Sequence, residues 1–300
     1  MNSVLFIFID GLGLGPCDAR SNPLARFRPT TLNCFADRLG PFPRNGIGLP
    51  TDAGLGVSGV PQSATGQASL FTGVNAAELM GRHCSGFPNS NLRQLIADHS
   101  FVRRLSEDGY STAFLNTYTP PFLENRPRWV SVTTVVCETA GLRLNDLDDL
   151  RAGRSLYMDF TNQLLIDRGY PVSLRTPEEA AQVLVSQAAR YDFCFYEYFL
   201  TDLAGHQGQI EESVRVLQSL DRFVTEVVHG LDLERQSLVI TSDHGNIEDC
   251  SVAPHTTNLV PTLAWGPIRS QINGRSRLQI TDIASLIEGC VRTKPPGRHK

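Results

Sequence analysis

The chain has 300 residues, which is enough to bury a large core as one α/β domain or as two smaller ones. Its 27 Lys and Arg residues and 31 Asp and Glu residues give a formal net charge of -4, so charge provides no case for a nucleic-acid or membrane-surface partner. The 7 Cys residues are scattered without a CxxC pair. This favours reduced thiols over a disulfide framework or a thiolate zinc site.

The first predicted element is a buried strand. Residues 4–9 form a continuous apolar run that ends at Asp10-Gly11, a pattern typical of the centre of a parallel sheet. The run is too short for a signal peptide or a membrane span, and no later segment is long and apolar enough to span. We therefore expect a cytoplasmic protein with no membrane partner. Further strands are predicted over residues 111–116, 193–199, 237–241 and 260–265.

Helical patterns alternate with these strands. Residues 92–105 and 210–230 show amphipathic spacing, and residues 177–189 follow Thr176 as a plausible N-cap with Pro177 in the first turn. The alternation predicts a doubly wound α/β fold: a mostly parallel central sheet with helices on both faces. We assign residues 1–116 and 176–290 to this core. Residues 117–175, rich in Arg, Asp and Leu, are predicted to form a small inserted lid, and residues 291–300 a disordered tail.

Three carboxylates follow predicted strands directly. Ligands of such sheets bind beyond the carboxyl ends of the strands, so Asp10, Asp202 and Asp243 are expected to gather at one edge. Asp202 is followed four residues later by His206, and Asp243 directly by His244; His255 comes shortly after. Asp and neutral His together suit zinc, manganese or iron. Each pair alone is also compatible with a helix cap or a turn, but their recurrence after several strands favours a metal centre.

Ser63 and Thr65 lie where a Gly- and Pro-containing approach leads into a helix-compatible run. A hydroxyl at a helix N-terminus lies among free backbone N–H groups that favour a bound phosphate. Coordination to a metal would turn such a hydroxyl into a nucleophile. The alternative is that one of the two merely caps the helix.

Five motifs occur in a fixed order along the chain. They are Ile9-Asp10-Gly11, residues 63–66 (SATG), residues 202–206 (DLAGH), residues 241–248 (TSDHGNIE) and residues 255–261 (HTTNLVP). Together they resemble the metalloenzyme core of cofactor-independent phosphoglycerate mutase and phosphopentomutase in the alkaline phosphatase superfamily. The resemblance implies two divalent ions, zinc or manganese: one bound by Asp202, His206 and His255, the other by Asp10, Asp243 and His244. Ser63 would bridge toward the phosphorus as the nucleophile, with Thr65 as the other candidate.

The sequence departs from those mutases in three ways. Gln67 stands where both mutases have His after the Gly, the inserted segment is much smaller than a mutase's second domain, and the chain's two Lys residues, Lys294 and Lys300, lie in the tail. We therefore expect a phosphohydrolase that acts on a small phosphate ester, with a phosphoserine intermediate. A compact phosphomutase and a non-catalytic metal-binding domain are the alternatives. Gln67, Arg126 and Arg128 are predicted substrate contacts, and the oligomeric state is left open.

Overall fold

The computed structural model describes residues 3–293 and 295–296. Its centre is one sheet of seven strands, beside a two-stranded ribbon. The strands are β1 (Ser3–Ile9), β2 (Cys34–Phe35), β3 (Arg38–Leu39), β4 (Ile47–Asp52), β5 (Thr112–Phe114), β6 (Phe193–Tyr198), β7 (Gln236–Ser242), β8 (Val260–Trp265) and β9 (Leu278–Gln279).

The sheet order is β5-β6-β1-β7-β8-β4-β9, and β2 pairs with β3 outside it. Strands β5, β6, β1 and β7 are parallel neighbours. Strand β8 is antiparallel to both β7 and β4, so it runs against the other six. The mostly parallel α/β sheet is therefore confirmed. Strand β8 is the antiparallel exception, because an apolar run of this length does not encode strand direction.

The described α-helices cover the two faces of the sheet. They are α1 (Ser63–Thr72), α2 (Ala76–Met80), α3 (Ser90–His99), α4 (Phe101–Glu107), α5 (Pro120–Glu124), α6 (Val132–Thr139), α7 (Leu147–Arg151), α8 (Gln163–Asp167), α9 (Pro177–Ala188), α10 (Leu200–Gln207), α11 (Ile210–Gly230), α12 (Arg269–Ile272) and α13 (Asp282–Val291). No described helix combines the length and the apolar character that crossing a membrane requires.

Alternate residues of β1 point into two separate cores. Val4, Phe6 and Phe8 pack with α1, α3, α4 and α13 on one face. Leu5, Ile7 and Ile9 pack with α9 and α11 on the other. Because both faces are covered, every residue of β1 is buried, which explains its uninterrupted apolar sequence.

One predicted helix differs in detail, and one predicted helix start is confirmed. The helix expected over residues 92–105 is split at Ser100, whose hydroxyl accepts a hydrogen bond from the backbone N–H of Arg103 and so begins α4 as an N-cap. Thr176, the predicted N-cap, is confirmed at the start of α9, where it forms a capping box with Glu179. Of the predicted tail, Val291 ends α13, while residues 294 and 297–300 lie outside the described residues.

The segment 117–175 is joined to the core in two ways. Val132, Val135 and Val136 of α6 belong to the core that contains α1. Leu147, Leu150 and Leu165 form a small cluster of their own with neighbouring side chains. The boundaries of a lid within this segment stay a prediction.

Candidate metal centre

The sheet brings the predicted ligands together at one edge. Asp10 follows β1, Asp202 lies in the first turn of α10 after β6, and Asp243 follows β7. These three strands are parallel neighbours, so their carboxyl ends meet. Strand β8 runs the other way, and the loop before it therefore returns His255 to the same edge.

Asp202, His206 and His255 form one group of converging side chains. The carboxylate of Asp202 lies 3.4 Å from Nε2 of His206 and 3.4 Å from Nε2 of His255. The two Nε2 atoms are 3.1 Å apart. Asp202 and His206 meet because they lie four residues apart, on the same side of α10.

Asp10, Asp243 and His244 form the second group, and all three are buried. Nε2 of His244 lies 3.2 Å from Oδ1 of Asp10 and 3.5 Å from Oδ2 of Asp243. The two groups adjoin, since the rings of His244 and His255 stack with their centroids 3.7 Å apart. An isolated bridge between Gly245 and Thr256 closes the loop that holds these two rings side by side.

The three histidines share one orientation. Each turns Nε2 toward the carboxylates and Nδ1 toward a backbone carbonyl: His255 to Pro61 at 3.0 Å, His206 to Ala253 and His244 to Gly245, both at 3.4 Å. A proton on Nδ1 that is directed at a carbonyl leaves the lone pair of Nε2 free, as histidine ligands of metals require.

The pKa values of the second group indicate an excess of negative charge that a cation would neutralise. Burial, with the neighbouring charge of Asp10, raises the pKa of Asp243 well above its usual range. Burial alone would lower the pKa of His244, but the carboxylates of Asp243 and Asp10 outweigh it and raise that pKa to about 10. Oδ1 of Asp10 is buried without a hydrogen-bond partner. Without metal, a proton on His244 therefore supplies positive charge among the carboxylates. The donor set fits a divalent ion, which would supply that positive charge in place of the proton.

Ser63 and Thr65 occupy different environments. Oγ of Ser63 lies 3.0 Å from Nε2 of His244, and Ser63 lines a cavity beside the predicted ligands. The hydroxyl of Thr65 is fully buried, donates to the carbonyl of Gln62 at 3.2 Å and accepts from the N–H of Cys84 at 3.1 Å. Ser63 is the first residue of α1, and Gln62 makes no side-chain cap there. Neither hydroxyl therefore caps the helix, and of the two only that of Ser63 contacts a predicted metal ligand.

Gln67 contacts the carboxylates of the second group. Its amide nitrogen donates to Oδ2 of Asp10 at 3.2 Å and to Oδ2 of Asp243 at 3.1 Å. The helix that carries Gln67 approaches closely because position 66 is Gly: a Cβ there would lie 2.8 Å from the carbonyl oxygen of Asp243. Gln67 also lines the cavity, so its predicted substrate contact remains a proposal, while its contact with two ligands is a feature the sequence did not reveal.

Two further polar residues, not predicted, support the ligands. The amide nitrogen of Asn246 donates to Oδ1 of Asp202 at 2.7 Å. The buried carboxylate of Glu248 accepts hydrogen bonds from the N–H groups of Gly13 and Asn246 at 2.9 and 2.7 Å, and so ties the loop after β1 to the loop after β7. Both residues lie within the motif of residues 241–248, which was the only signal available.

Arg126 and Arg128 lie apart from the metal ligands. Arg126 forms an ion pair with Glu138. The guanidinium of Arg128 lies 5.2 Å from the ring centroid of Trp129. Neither arginine lines the cavity that Ser63 lines, whereas Trp129 does. Their predicted contact with substrate therefore has no support from their positions.

The cavity beside the metal ligands has a volume of about 560 Å³. Asp10, Ser63 and Asp202 line it where it meets the predicted metal ligands. Much of the remaining wall comes from the segment 117–175 and is aromatic, a feature that the spacing of the motifs did not predict.

Residues 167–291 match the family described as the Metalloenzyme superfamily. This segment contains Asp202, His206, Asp243, His244 and His255. The resemblance inferred from the motifs is thus confirmed.

Named relatives point the same way. The chain is 28% identical over 142 residues to the 2,3-bisphosphoglycerate-independent phosphoglycerate mutase of Pyropia yezoensis, a match covering 40% of this chain and 26% of the relative. The chain is 33% identical over 103 residues to the enzyme of the same name from Ruegeria sp. (strain TM1040), a match covering 31% of this chain and 20% of the relative. The matches thus span only about a quarter of the length of these relatives.

Two solved structures resemble the whole fold. The PH0037 protein from Pyrococcus horikoshii has a TM-score of 0.60 at 16% identity, with 99% of each chain covered. The alkaline phosphatase from the Antarctic bacterium TAB5 has a TM-score of 0.54 at 12% identity, with 97% of each chain covered. At these identities the likeness establishes a shared fold.

Proposed function

We propose that the chain is a two-metal phosphohydrolase that cleaves phosphate esters through a phosphoserine at Ser63. The observation that supports this most is the position of the Ser63 hydroxyl, 3.0 Å from Nε2 of His244 and open to the cavity. It lies beside the group of Asp10, Asp243 and His244, which adjoins the other group through the stacked rings of His244 and His255. Such a hydroxyl next to an Asp and His metal centre is suited to nucleophilic displacement at phosphorus.

Asp202, His206 and His255 would hold one divalent ion, and Asp10, Asp243 and His244 the other. Zinc and manganese both fit Asp and His donors, and the proposal includes either. Bound ions supply positive charge that stabilises the attacking and leaving oxygens of an in-line displacement. Gln67 and Asn246 would keep the carboxylates of Asp10, Asp243 and Asp202 in place through the hydrogen bonds described above.

Ser63 is well placed for the chemical step. As the first residue of α1 it lies among backbone N–H groups that have no partner within the helix, and the positive end of the helix dipole favours a phosphate there. The serine oxygen would form a bond to phosphorus as the ester oxygen leaves with a proton. Water would then attack the phosphoserine, releasing phosphate and restoring the hydroxyl.

The cavity wall favours hydrolysis over mutase chemistry. A mutase must retain its phosphorylated intermediate and bind a second anionic group of the substrate, for which Arg is the preferred side chain. Among the described residues that line the cavity there is no Arg, Lys or His. Three arginines of the segment 117–175 bind carboxylates elsewhere: Arg143 and Arg154 bind Asp149, and Arg151 binds Asp148.

A compact phosphomutase is the second candidate, because the relatives named above are phosphoglycerate mutases. The phosphohydrolase and the phosphomutase are distinguished by their reaction products. Purified protein, stripped with a chelator and reloaded with manganese or zinc, is assayed against phosphomonoesters, phosphodiesters and sugar phosphates. Hydrolysis predicts release of inorganic phosphate that requires metal and is lost in Ser63→Ala. Isomerised sugar phosphate or phosphoglycerate without phosphate release would establish the mutase instead.

An exposed serine provides the control for Ser63. Ser285 lies on the surface of α13, and its hydroxyl bonds only within its own helix, to the carbonyl of Asp282. Ser285→Ala should retain full turnover. Turnover that survives in Ser63→Ala would contradict the proposed nucleophile, and turnover without added metal in the stripped protein would contradict the two-metal proposal.

A further inference from the structure

The cavity next to Ser63 has two chemically different ends. At one end lie Ser63, Asp10 and Asp202, where a phosphate would bind. Away from them, the wall contains seven aromatic side chains: Phe87, Phe114, Tyr118, Phe122, Trp129, Tyr157 and Phe199. A volume of about 560 Å³ leaves room for an organic group of considerable size beyond the phosphate.

The aromatic wall is built as a packed unit. Phe114 stacks on Phe195 of the core with ring centroids 4.6 Å apart, and Tyr118 lies 6.3 Å from Phe114 in an edge-on arrangement. Phe122 continues the row, 4.6 Å from Tyr118. The hydroxyl of Tyr118 is hydrogen-bonded to Thr134 at 2.8 Å, which fixes its ring. This side of the cavity is therefore preformed.

Two aromatic residues at the rim are open to solvent. The exposed fraction is 53% for both Phe87, in the loop between α2 and α3, and Trp129, in the loop before α6. Large apolar side chains that remain exposed at the mouth of a cavity lose unfavourable contact with water when an apolar ligand covers them. Both residues therefore have surface available to a ligand.

The charges in the cavity do not suit a second anion. The charged residues of its wall are Asp10, Glu197 and Asp202, which are all carboxylic acids. Burial raises the pKa of Glu197 to about 8, and the hydroxyl of Thr133 donates to it at 2.7 Å. Glu197 is thus mostly protonated at neutral pH and does not oppose an uncharged group. A carboxylate or a second phosphate would meet neither Arg nor Lys among the described lining residues.

We propose that this cavity binds a flat, aromatic or similarly apolar organic group, so that the preferred substrates are phosphate esters of aromatic alcohols. Phosphorylated glycerate and sugars, which are polar and often doubly anionic, would then be poor substrates. The inference rests on the proposed function only for the position of the phosphate at Ser63. The aromatic subsite itself is defined by the side chains of the cavity.

The test is binding of phosphonates, which lack the ester oxygen and cannot be hydrolysed. Metal-loaded protein is titrated calorimetrically with 2-phenylethylphosphonate and with 2-hydroxyethylphosphonate, which share the anionic head. Burial of a phenyl group predicts binding at least about tenfold tighter for the phenyl compound. Equal affinities, or tighter binding of the hydroxyethyl compound, would overturn the inference.

Rim variants assign the preference to this cavity. Trp129→Ala should reduce the phenyl preference about fivefold, and Trp129→Phe should restore most of it, because an aromatic contact is retained. Leu174→Ala is the control, since Leu174 is 59% exposed and does not line the cavity. A phenyl preference that is unchanged in both Trp129→Ala and Phe87→Ala would place the binding elsewhere and overturn the proposal.

Turnover is measured separately with 2-phenylethyl phosphate and glycerol phosphate, which have alcohol leaving groups of comparable type. Selective phosphonate binding without release of phosphate from either ester would refute the proposed hydrolase but leave the aromatic subsite. Phosphate release with equal kcat/KM for both esters would support the hydrolase and refute the aromatic subsite.

Discussion

Substitution of His255 is the most informative test of the metal centre, because both ring nitrogens and the ring face of this side chain have identified contacts. Nδ1 is directed at the carbonyl of Pro61, Nε2 lies 3.4 Å from Asp202 and 3.1 Å from His206, and the ring stacks on His244. His255→Ala removes one proposed ligand of the first ion and leaves the proposed ligands of the second ion intact. We therefore expect the loss of one site of two.

The magnitude follows from linkage between binding and folding. With free metal at about 100 times Kd, each occupied site adds about 2.7 kcal/mol to the free energy of unfolding. At about 2 °C per kcal/mol for a chain of this size, two sites raise Tm by about 11 °C. A 100-fold weaker first site contributes only about 0.4 kcal/mol at the same metal concentration. The metal-induced rise in the variant should then fall to about 6 °C.

The assay is thermal unfolding of stripped and manganese- or zinc-reloaded protein, with metal content measured in parallel. The metal-induced rise in Tm, reloaded minus stripped, is compared between the variant and wild type. This difference is used because loss of the hydrogen bond to Pro61 also destabilises the metal-free variant, by about 1 kcal/mol. His229→Ala is the matched control, since His229 is exposed near the end of α11. A His255→Ala protein that binds two ions and keeps the full rise in Tm would refute the assignment of His255 as a ligand.

Three further predictions concern residues around the ligands. Gln67→Ala should weaken metal binding about tenfold without unfolding the chain, because the amide donates to Asp10 and Asp243; an unchanged metal titration would refute this. Gly66→Ala should destabilise the metal-free protein by about 1–3 kcal/mol, because its Cβ would lie 2.8 Å from the Asp243 carbonyl; wild-type stability in urea would show that the helix shifts freely. The folded-state pKa of Glu197 is raised to about 8, above its ordinary 4.5, so its protonated form stabilises the fold and this contribution is lost as pH rises toward 8. Glu197→Gln should therefore gain stability relative to wild type between pH 5 and pH 8 in metal-free melts, and a constant difference would argue against the raised pKa.

The convergence of the proposed ligands could be predicted from sequence because they lie close to strongly patterned elements. Asp10 and Asp243 follow apolar strands whose parallel arrangement forces their ends together, and Asp202 and His206 share one turn of a helix. The expected α/β sheet follows from the same alternation of strands and helices.

Other features depended on contacts between distant segments and had no local signal. Strand β4 (Ile47–Asp52) contains Gly48 and Pro50 and was not predicted, and the direction of β8 depends on pairing with its neighbours. The contact of Gln67 with two carboxylates requires α1 to pack against the loop after β7. Likewise, the aromatic wall combines residues from four separate parts of the chain, such as Phe87, Phe114, Trp129 and Phe199.

The most direct test of the central claim is to locate the phosphoryl group on the protein. Metal-loaded enzyme is mixed with a phosphate ester that it turns over, quenched in acid at successive times, digested and mapped by mass spectrometry. We predict a phosphoryl group on Ser63 that appears and decays with turnover and is absent from Ser63→Ala. Phosphate on Thr65, or undiminished turnover in Ser63→Ala without any phosphoprotein, would contradict it.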